Sequence, residues 1–213
     1  MKNNAIIFGD SYSTFAGFVP EGYKSYYSEA GRPETDVTKV TETWWHQVAS
    51  EANLNLVLNN SWSGSTIAYT GYDNVDCSKT SSFIYRLREL IANGFFDKNE
   101  IDKVFIFGAT NDNWINESLG VAKFSDWQEE ELYSVLPAIC YFLFLARETL
   151  PNAEIYCLIN TGLKPEIISC MNKACEKYNI TAITFDNIDK NSGHPTIQGM
   201  KDIKDSVLKV LKA

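Results

Sequence analysis

Five short apolar runs, each separated from the next by residues with helical spacing, constrain this chain more than any other feature. They are Ala5–Phe8, Leu54–Leu58, Lys103–Phe107, Glu154–Leu158 and Thr181–Phe185. Each is strand-length and largely apolar without strict alternation, the pattern of strands covered on both faces of a parallel sheet. Between them, Trp44, Val48 and Ala49 share one helical face, and Ile84, Leu87, Leu90 and Ile91 another. A long helix is expected from about Trp127 to Thr149 and a further one from Pro165 to Lys177. The last helix carries Ile197, Ile203, Val207, Leu208 and Leu211 on one side. Strands alternating with helices build βαβ units, so the fold class is α/β with helices on both faces of a five-stranded parallel sheet. No repeat, low-complexity tract or linker divides the 213 residues, and residues 1–213 read as a single domain.

In open α/β sheets the ligand crevice lies beyond the carboxyl ends of the strands. Four polar clusters fall there. The first strand leads into Gly9-Asp10-Ser11, the second into Asn59-Asn60-Ser61-Trp62-Ser63-Gly64, and the third into Gly108-Ala109-Thr110-Asn111-Asp112. The fifth is followed by Asp189-Lys190-Asn191-Ser192-Gly193-His194-Pro195. Residues 17–39, rich in Gly, Pro, Tyr and Ser without a clean period, form a long irregular loop of the kind that is commonly functional.

A serine hydroxyl becomes a nucleophile when a neighbouring base takes its proton. The chain has two histidines. His194 sits in a Gly/Pro-bounded loop and is the candidate base for Ser11; His46, beside Trp45 in a helix, reads as a half-buried helical residue. Acyl transfer also needs donors aimed at the developing oxyanion. The backbone N–H of Gly64, the side-chain NH₂ of Asn111 and the backbone N–H of Ser11 are candidates. Singly, each motif has a plain structural reading as a turn or an N-cap. Their joint placement at strand ends is what carries the chemistry.

These four blocks resemble those of the SGNH/GDSL hydrolases, which contribute Ser, Gly, Asn and His in that chain order, here Ser11, Gly64, Asn111 and His194 followed by Pro195. The resemblance spans nearly the whole chain. It implies a three-layer α/β/α, flavodoxin-like sheet (the SGNH hydrolase fold) and hydrolysis of carboxylic esters without metal or other cofactor. No Gly-x-Ser-x-Gly elbow of the other serine-hydrolase architecture is present. The sequence departs from the family at two positions. Ala109 stands where a second glycine is frequent, and Asn191 stands where the family places an aspartate three residues before the histidine. Three groups can replace that carboxylate: Asp189, the favoured choice, through a bulged loop; the Asn191 side-chain oxygen; or a backbone carbonyl. Asp186 and Asp112 are weaker candidates. Asp10 and Asp112 are expected to brace their own turns.

Aromatic residues, among them Tyr12, Tyr23, Tyr26, Trp62, Tyr72 and Trp114, crowd the motif loops. They suit a small-molecule ester substrate with a small acyl group or a carbohydrate O-acyl ester. A non-catalytic binder on the same scaffold is the alternative. A flavodoxin-like nucleotide-binding module lacks its GxGxxG or P-loop here. A net charge of −8 argues against nucleic acid or anionic membrane surfaces as partners. The five cysteines are scattered without CxxC spacing and are expected to be reduced. The short apolar run near the N-terminus is no signal-peptide core and no segment is long enough to span a bilayer, so a cytoplasmic protein is expected. The oligomeric state is not legible.

Overall fold

The computed structural model describes residues 3–115 and 118–212. Five parallel strands form the central sheet: β1 (Asn3–Gly9), β2 (Leu54–Ser61), β3 (Lys103–Phe107), β4 (Glu154–Ile159) and β5 (Thr181–Thr184). Their order, β2-β1-β3-β4-β5, is the doubly wound flavodoxin-like order, in which the chain reverses direction across the sheet at β1 and β3.

Alternate residues of these strands serve two cores. Ile6 and Phe8 of β1 with Val104 and Ile106 of β3 face α2 (Phe83–Ala92), α5 (Val135–Thr149) and α6 (Pro165–Lys177). Ala5, Ile7, Phe105 and Phe107 face α1 (Trp44–Glu51) and α7 (Ile197–Leu211). Two-sided burial explains why these segments read as continuous apolar runs. Two short helices, α3 (Phe95–Lys98) and α4 (Thr110–Trp114), and a two-stranded hairpin of β6 (Lys190–Asn191) and β7 (His194–Pro195) complete the elements used below.

The structure corrects two expectations. The helix expected from Trp127 starts at Val135; before it, Glu129–Tyr133 forms a 3-10 turn and Ser134 is extended. Pro137 is the reason, because a proline fits the first turn of a helix but would break one continuing from Trp127. The Glu131 carboxylate caps the preceding turn through the Gln128 N–H at 2.7 Å. Strand β2 runs three residues further than expected, pairing Asn59, Asn60 and Ser61 with Ile7, Phe8 and Gly9. Its buried polar side chains are satisfied: Asn59 donates to the Ser13 carbonyl at 2.8 Å and accepts from Ser61 at 2.6 Å. The five cysteines are buried and free. No helix among the described residues is long and apolar enough to cross a membrane.

Candidate active site

Strand β1 delivers Ser11 through a tight turn. A Cβ at Gly9 would lie 2.5 Å from the Ser61 hydroxyl and 2.6 Å from the Ser13 Cβ, so only glycine lets the strand end pack there. Asp10 caps the following 3-10 turn, Oδ1 accepting the Tyr12 N–H at 3.0 Å. Burial pushes the carboxyl up to about 7 against the pull of the Tyr12 N–H and the Thr110 hydroxyl.

The base arrives from the opposite end of the chain. Ser192 and Gly193 both have positive φ, 48° and 81°, the requirement of a two-residue hairpin turn, and they fold β7 back on β6. That turn brings His194 Nε2 to 3.0 Å from Ser11 Oγ. The hairpin is tied down by two tyrosines: Tyr12 donates to the Gly193 carbonyl, and Tyr27 donates to the Pro195 carbonyl at 2.9 Å. His194 Nδ1 lies 3.3 Å from the Ser192 carbonyl, and an Nδ1–H donating there leaves Nε2 as the acceptor for the serine proton. Burial holds the imidazole below its ordinary pKa, with Arg32 and Lys190 adding to the shift and the Ser192 carbonyl opposing it.

The Asp189–His194 contact expected from sequence is not formed. The Asp189 carboxylate accepts from the Thr196 hydroxyl, its N–H donates to Asp202 at 3.1 Å, and its carbonyl accepts the Thr196 N–H at 3.1 Å. Gly199 of α7 packs so closely that a Cβ there would sit 2.0 Å from the Asp189 carbonyl oxygen. Asp189 is therefore drawn onto the start of α7, away from the ring. Asn191 is exposed, its Oδ1 3.3 Å from its neighbour Ser192 Oγ. None of the ion pairs among the described residues involves His194. His46 is half-buried on α1, as expected.

Gly64 and Asn111 flank the same crevice. Gly64 has φ +82°, and its N–H meets no acceptor among the described residues. Asn111 lies in the first turn of α4, where one N–H of its amide donates to the Ser65 carbonyl at 2.8 Å while Oδ1 accepts from the Tyr72 hydroxyl at 2.9 Å. These two bonds fix the amide's orientation and leave its second N–H available. Ala109, the unusual residue in this block, adopts φ +68°, which gives the family's glycine a backbone cause. Asp112 engages its own backbone N–H, as expected of a residue bracing its turn, and reaches beyond that turn as well. Its buried carboxylate accepts the N–H groups of Ile67 and Ala68 at 3.0–3.1 Å and so ties the Gly64 loop to α4. Burial raises it to about 6 against the pull of those N–H groups.

Sequence reasoning passed over Arg86. This fully buried guanidinium on α2 donates to the Ser81 carbonyl at 2.9 Å, Asn60 Oδ1 at 2.7 Å, the Gly9 carbonyl at 3.2 Å and Ser65 Oγ at 3.1 Å. It clamps the ends of β1 and β2 to the loop whose carbonyl holds Asn111, and burial lowers it to about 10. An arginine between Ile84 and Leu87 on an otherwise apolar face was the available signal. Tyr26, from the long loop, stacks on His194 with ring centroids 3.6 Å apart, and Trp114 meets the same imidazole edge-on at 5.8 Å. No group of three His, Cys, Asp or Glu side chains among the described residues is placed to hold a metal ion.

The sequence pattern of the GDSL-like lipase/acylhydrolases matches residues 3–211. The chain belongs to that family. A candidate GDSL-like lipase from Bacteroides ovatus ATCC 8483 is 42% identical, with a TM-score of 0.91 over 100% of this chain and 99% of its own. Another from Bacteroides uniformis ATCC 8492 is 38% identical, with a TM-score of 0.89 over 99% and 96%. The fold also extends to an acetyl xylan esterase from Butyrivibrio proteoclasticus, 17% identical with a TM-score of 0.63, covering 99% of this chain and 63% of that one. No curated protein matches the sequence. In this GDSL-like chain, three of the four motif blocks follow β1, β2 and β3 directly and the fourth lies on the β6–β7 hairpin.

Proposed function

We propose that this GDSL-like chain is a serine esterase working through a Ser11–His194 dyad, with the Ser192 carbonyl in place of a triad carboxylate. The observation that carries the reading is the 3.0 Å approach of His194 Nε2 to Ser11 Oγ on a ring whose other nitrogen faces a carbonyl. In this tautomer Nε2 removes the hydroxyl proton as Ser11 Oγ attacks the ester carbonyl carbon. The tetrahedral oxyanion receives the N–H groups of Ser11 and Gly64 and the free N–H of Asn111, which are preorganised in a buried, low-dielectric setting. The imidazolium then protonates the departing alkoxide, and water repeats the sequence on the acyl-enzyme. No carboxylate shares the imidazolium charge.

For substrate we favour small acyl or carbohydrate O-acyl esters. A cleft of about 400 Å³ adjoins Gly64 and is lined by Trp62, Tyr72, Lys24 and Asp73, with Tyr23 tilted against Trp62 at 37° and a centroid distance of 4.3 Å. A flat aromatic beside charged and hydroxyl groups suits a sugar ring. The acetyl xylan esterase, and a family two carbohydrate esterase from Clostridium thermocellum in complex with cellohexaose, share the fold and point the same way. The absent triad carboxylate motivates a second reading, a non-catalytic carbohydrate binder on this scaffold. A panel of p-nitrophenyl esters and acetylated sugars, run on wild type and Ser11→Ala, separates the two. The esterase reading expects turnover of short acyl esters that falls below about 1% in Ser11→Ala. Equal activity of the two proteins overturns it, and binding of the sugars without turnover by either favours the binder.

A further inference from the structure

A base without a carboxylate needs another means of holding its plane. The tether from Nδ1 to the Ser192 carbonyl is 3.3 Å, long for a hydrogen bond, and a single such bond does not define the plane of the ring. Tyr26 lies against the ring face to face, with centroids 3.6 Å apart and planes inclined by 4°. The Arg32 guanidinium lies over the Tyr26 ring, 4.3 Å from its centroid.

Tyr26 is preset from both sides of the site. Its N–H donates to Thr14 Oγ1 at 2.9 Å, and the Thr14 hydroxyl donates to the Ser11 carbonyl at 3.0 Å. The adjoining Tyr27 is bonded through its carbonyl to the Ala16 N–H at 2.9 Å and through its buried hydroxyl to the Pro195 carbonyl at 2.9 Å. One two-residue segment is thus docked on the nucleophile's turn and on the strand that carries the base. This arrangement fixes the stacked ring relative to both reacting groups.

We propose that Tyr26 is a positioning residue that shares with the Ser192 carbonyl the orienting work of the missing carboxylate, its ring face holding His194 in the plane that aims Nε2 at Ser11. The inference rests on the Ser–His reading above. An aromatic face attracts a cation more than a neutral ring, so the contact strengthens as the imidazole becomes imidazolium. An interaction that grows towards the transition state appears in kcat and leaves KM nearly unchanged. The charged and titratable groups facing the ring are Arg32 from the long loop, Lys190 from β6, and Ser11 and Tyr12 from the turn after β1. Both cations oppose protonation, and Glu34, 3.5 Å from Arg32, partly offsets one of them.

With only two histidines in the chain, imidazole ¹⁵N spectra resolve the tautomer of His194 directly. Wild type is expected to show one Nδ1–H tautomer. Tyr26→Phe keeps the ring face and should retain that tautomer, with kcat within about threefold of wild type. Tyr26→Leu should lower kcat by about tenfold at nearly constant KM, and shift the His194 nitrogens towards the averaged values of exchanging tautomers. A merely structural role would alter thermal stability but not the tautomer. The proposal is overturned if Tyr26→Leu keeps both kcat and the single tautomer, or if Tyr26→Phe loses as much as Tyr26→Leu. Because the spectrum needs no turnover, failure of the Ser11 reading, seen as activity surviving in Ser11→Ala, is distinguishable from failure of this one.

Discussion

Asp189→Asn isolates the feature that most separates this site from a serine triad. If Asp189 oriented His194, its neutralisation would cost on the order of 10⁴ in kcat, as replacing the carboxylate does in a serine protease. Here the carboxylate faces the Thr196 hydroxyl, and its backbone is held by Thr196 and Asp202 on the α7 side. An asparagine oxygen can still accept from Thr196, and Thr196 still caps the Gly199 N–H at 3.2 Å. The loss is then the difference between a charged and a neutral acceptor at an exposed site, about 0.5–1 kcal/mol. For a chain of this length that lowers Tm by roughly 1–4 °C. We expect kcat/KM on a short-chain p-nitrophenyl ester to stay within about threefold of wild type, since no transition-state charge is touched. A loss of about 10²-fold or more would refute the reasoning and restore Asp189 to the ring.

Three further outcomes follow. Because His194 must be neutral to accept the proton and its pKa is held below the ordinary 6.5, kcat/KM should rise with pH to a half-maximum below 6.5; Arg32→Gln, removing a charge that opposes protonation, should move that midpoint upward in a pH–rate profile. Asn111→Ala should reduce kcat by roughly 10²–10³ with little change in KM, read from steady-state kinetics on the same ester. Arg86→Ala should cost roughly 3–5 kcal/mol in urea unfolding, because the Gly9, Asn60 and Ser81 carbonyls lose their buried donor together.

The parts of this molecule legible from sequence are those decided locally. A strand buried on both faces must be apolar along its length, so Lys103–Phe107 and its neighbours announced themselves, and the sheet rule then put Ser11, Gly64, Asn111 and His194 along one edge. The start of α5 was also locally encoded, by Pro137, but the apolar period of the preceding residues masked it. The orientation of His194 was not local. Asp189 lies five residues before the histidine, and whether it turns inward depends on Gly199, Thr196 and Asp202 of the following helix, which draw it away. The same holds for Tyr26, whose loop has no period to read and whose place is set by Thr14 and, through Tyr27, by Pro195. Arg86 was hidden by the apolar stripe it interrupts, since its partners are carbonyls from three separate segments.

The central claim is that Ser11 is a nucleophile activated by His194. Intact-mass measurement after exposure to a fluorophosphonate tests it most directly, because the reagent forms a stable adduct only with an activated hydroxyl and needs no knowledge of the natural ester. The account predicts a single adduct on wild type, mapped by peptide sequencing to Ser11, none on Ser11→Ala, and labelling slowed by at least about 10²-fold in His194→Ala. An unlabelled wild-type protein, or an adduct that persists in Ser11→Ala, would contradict it.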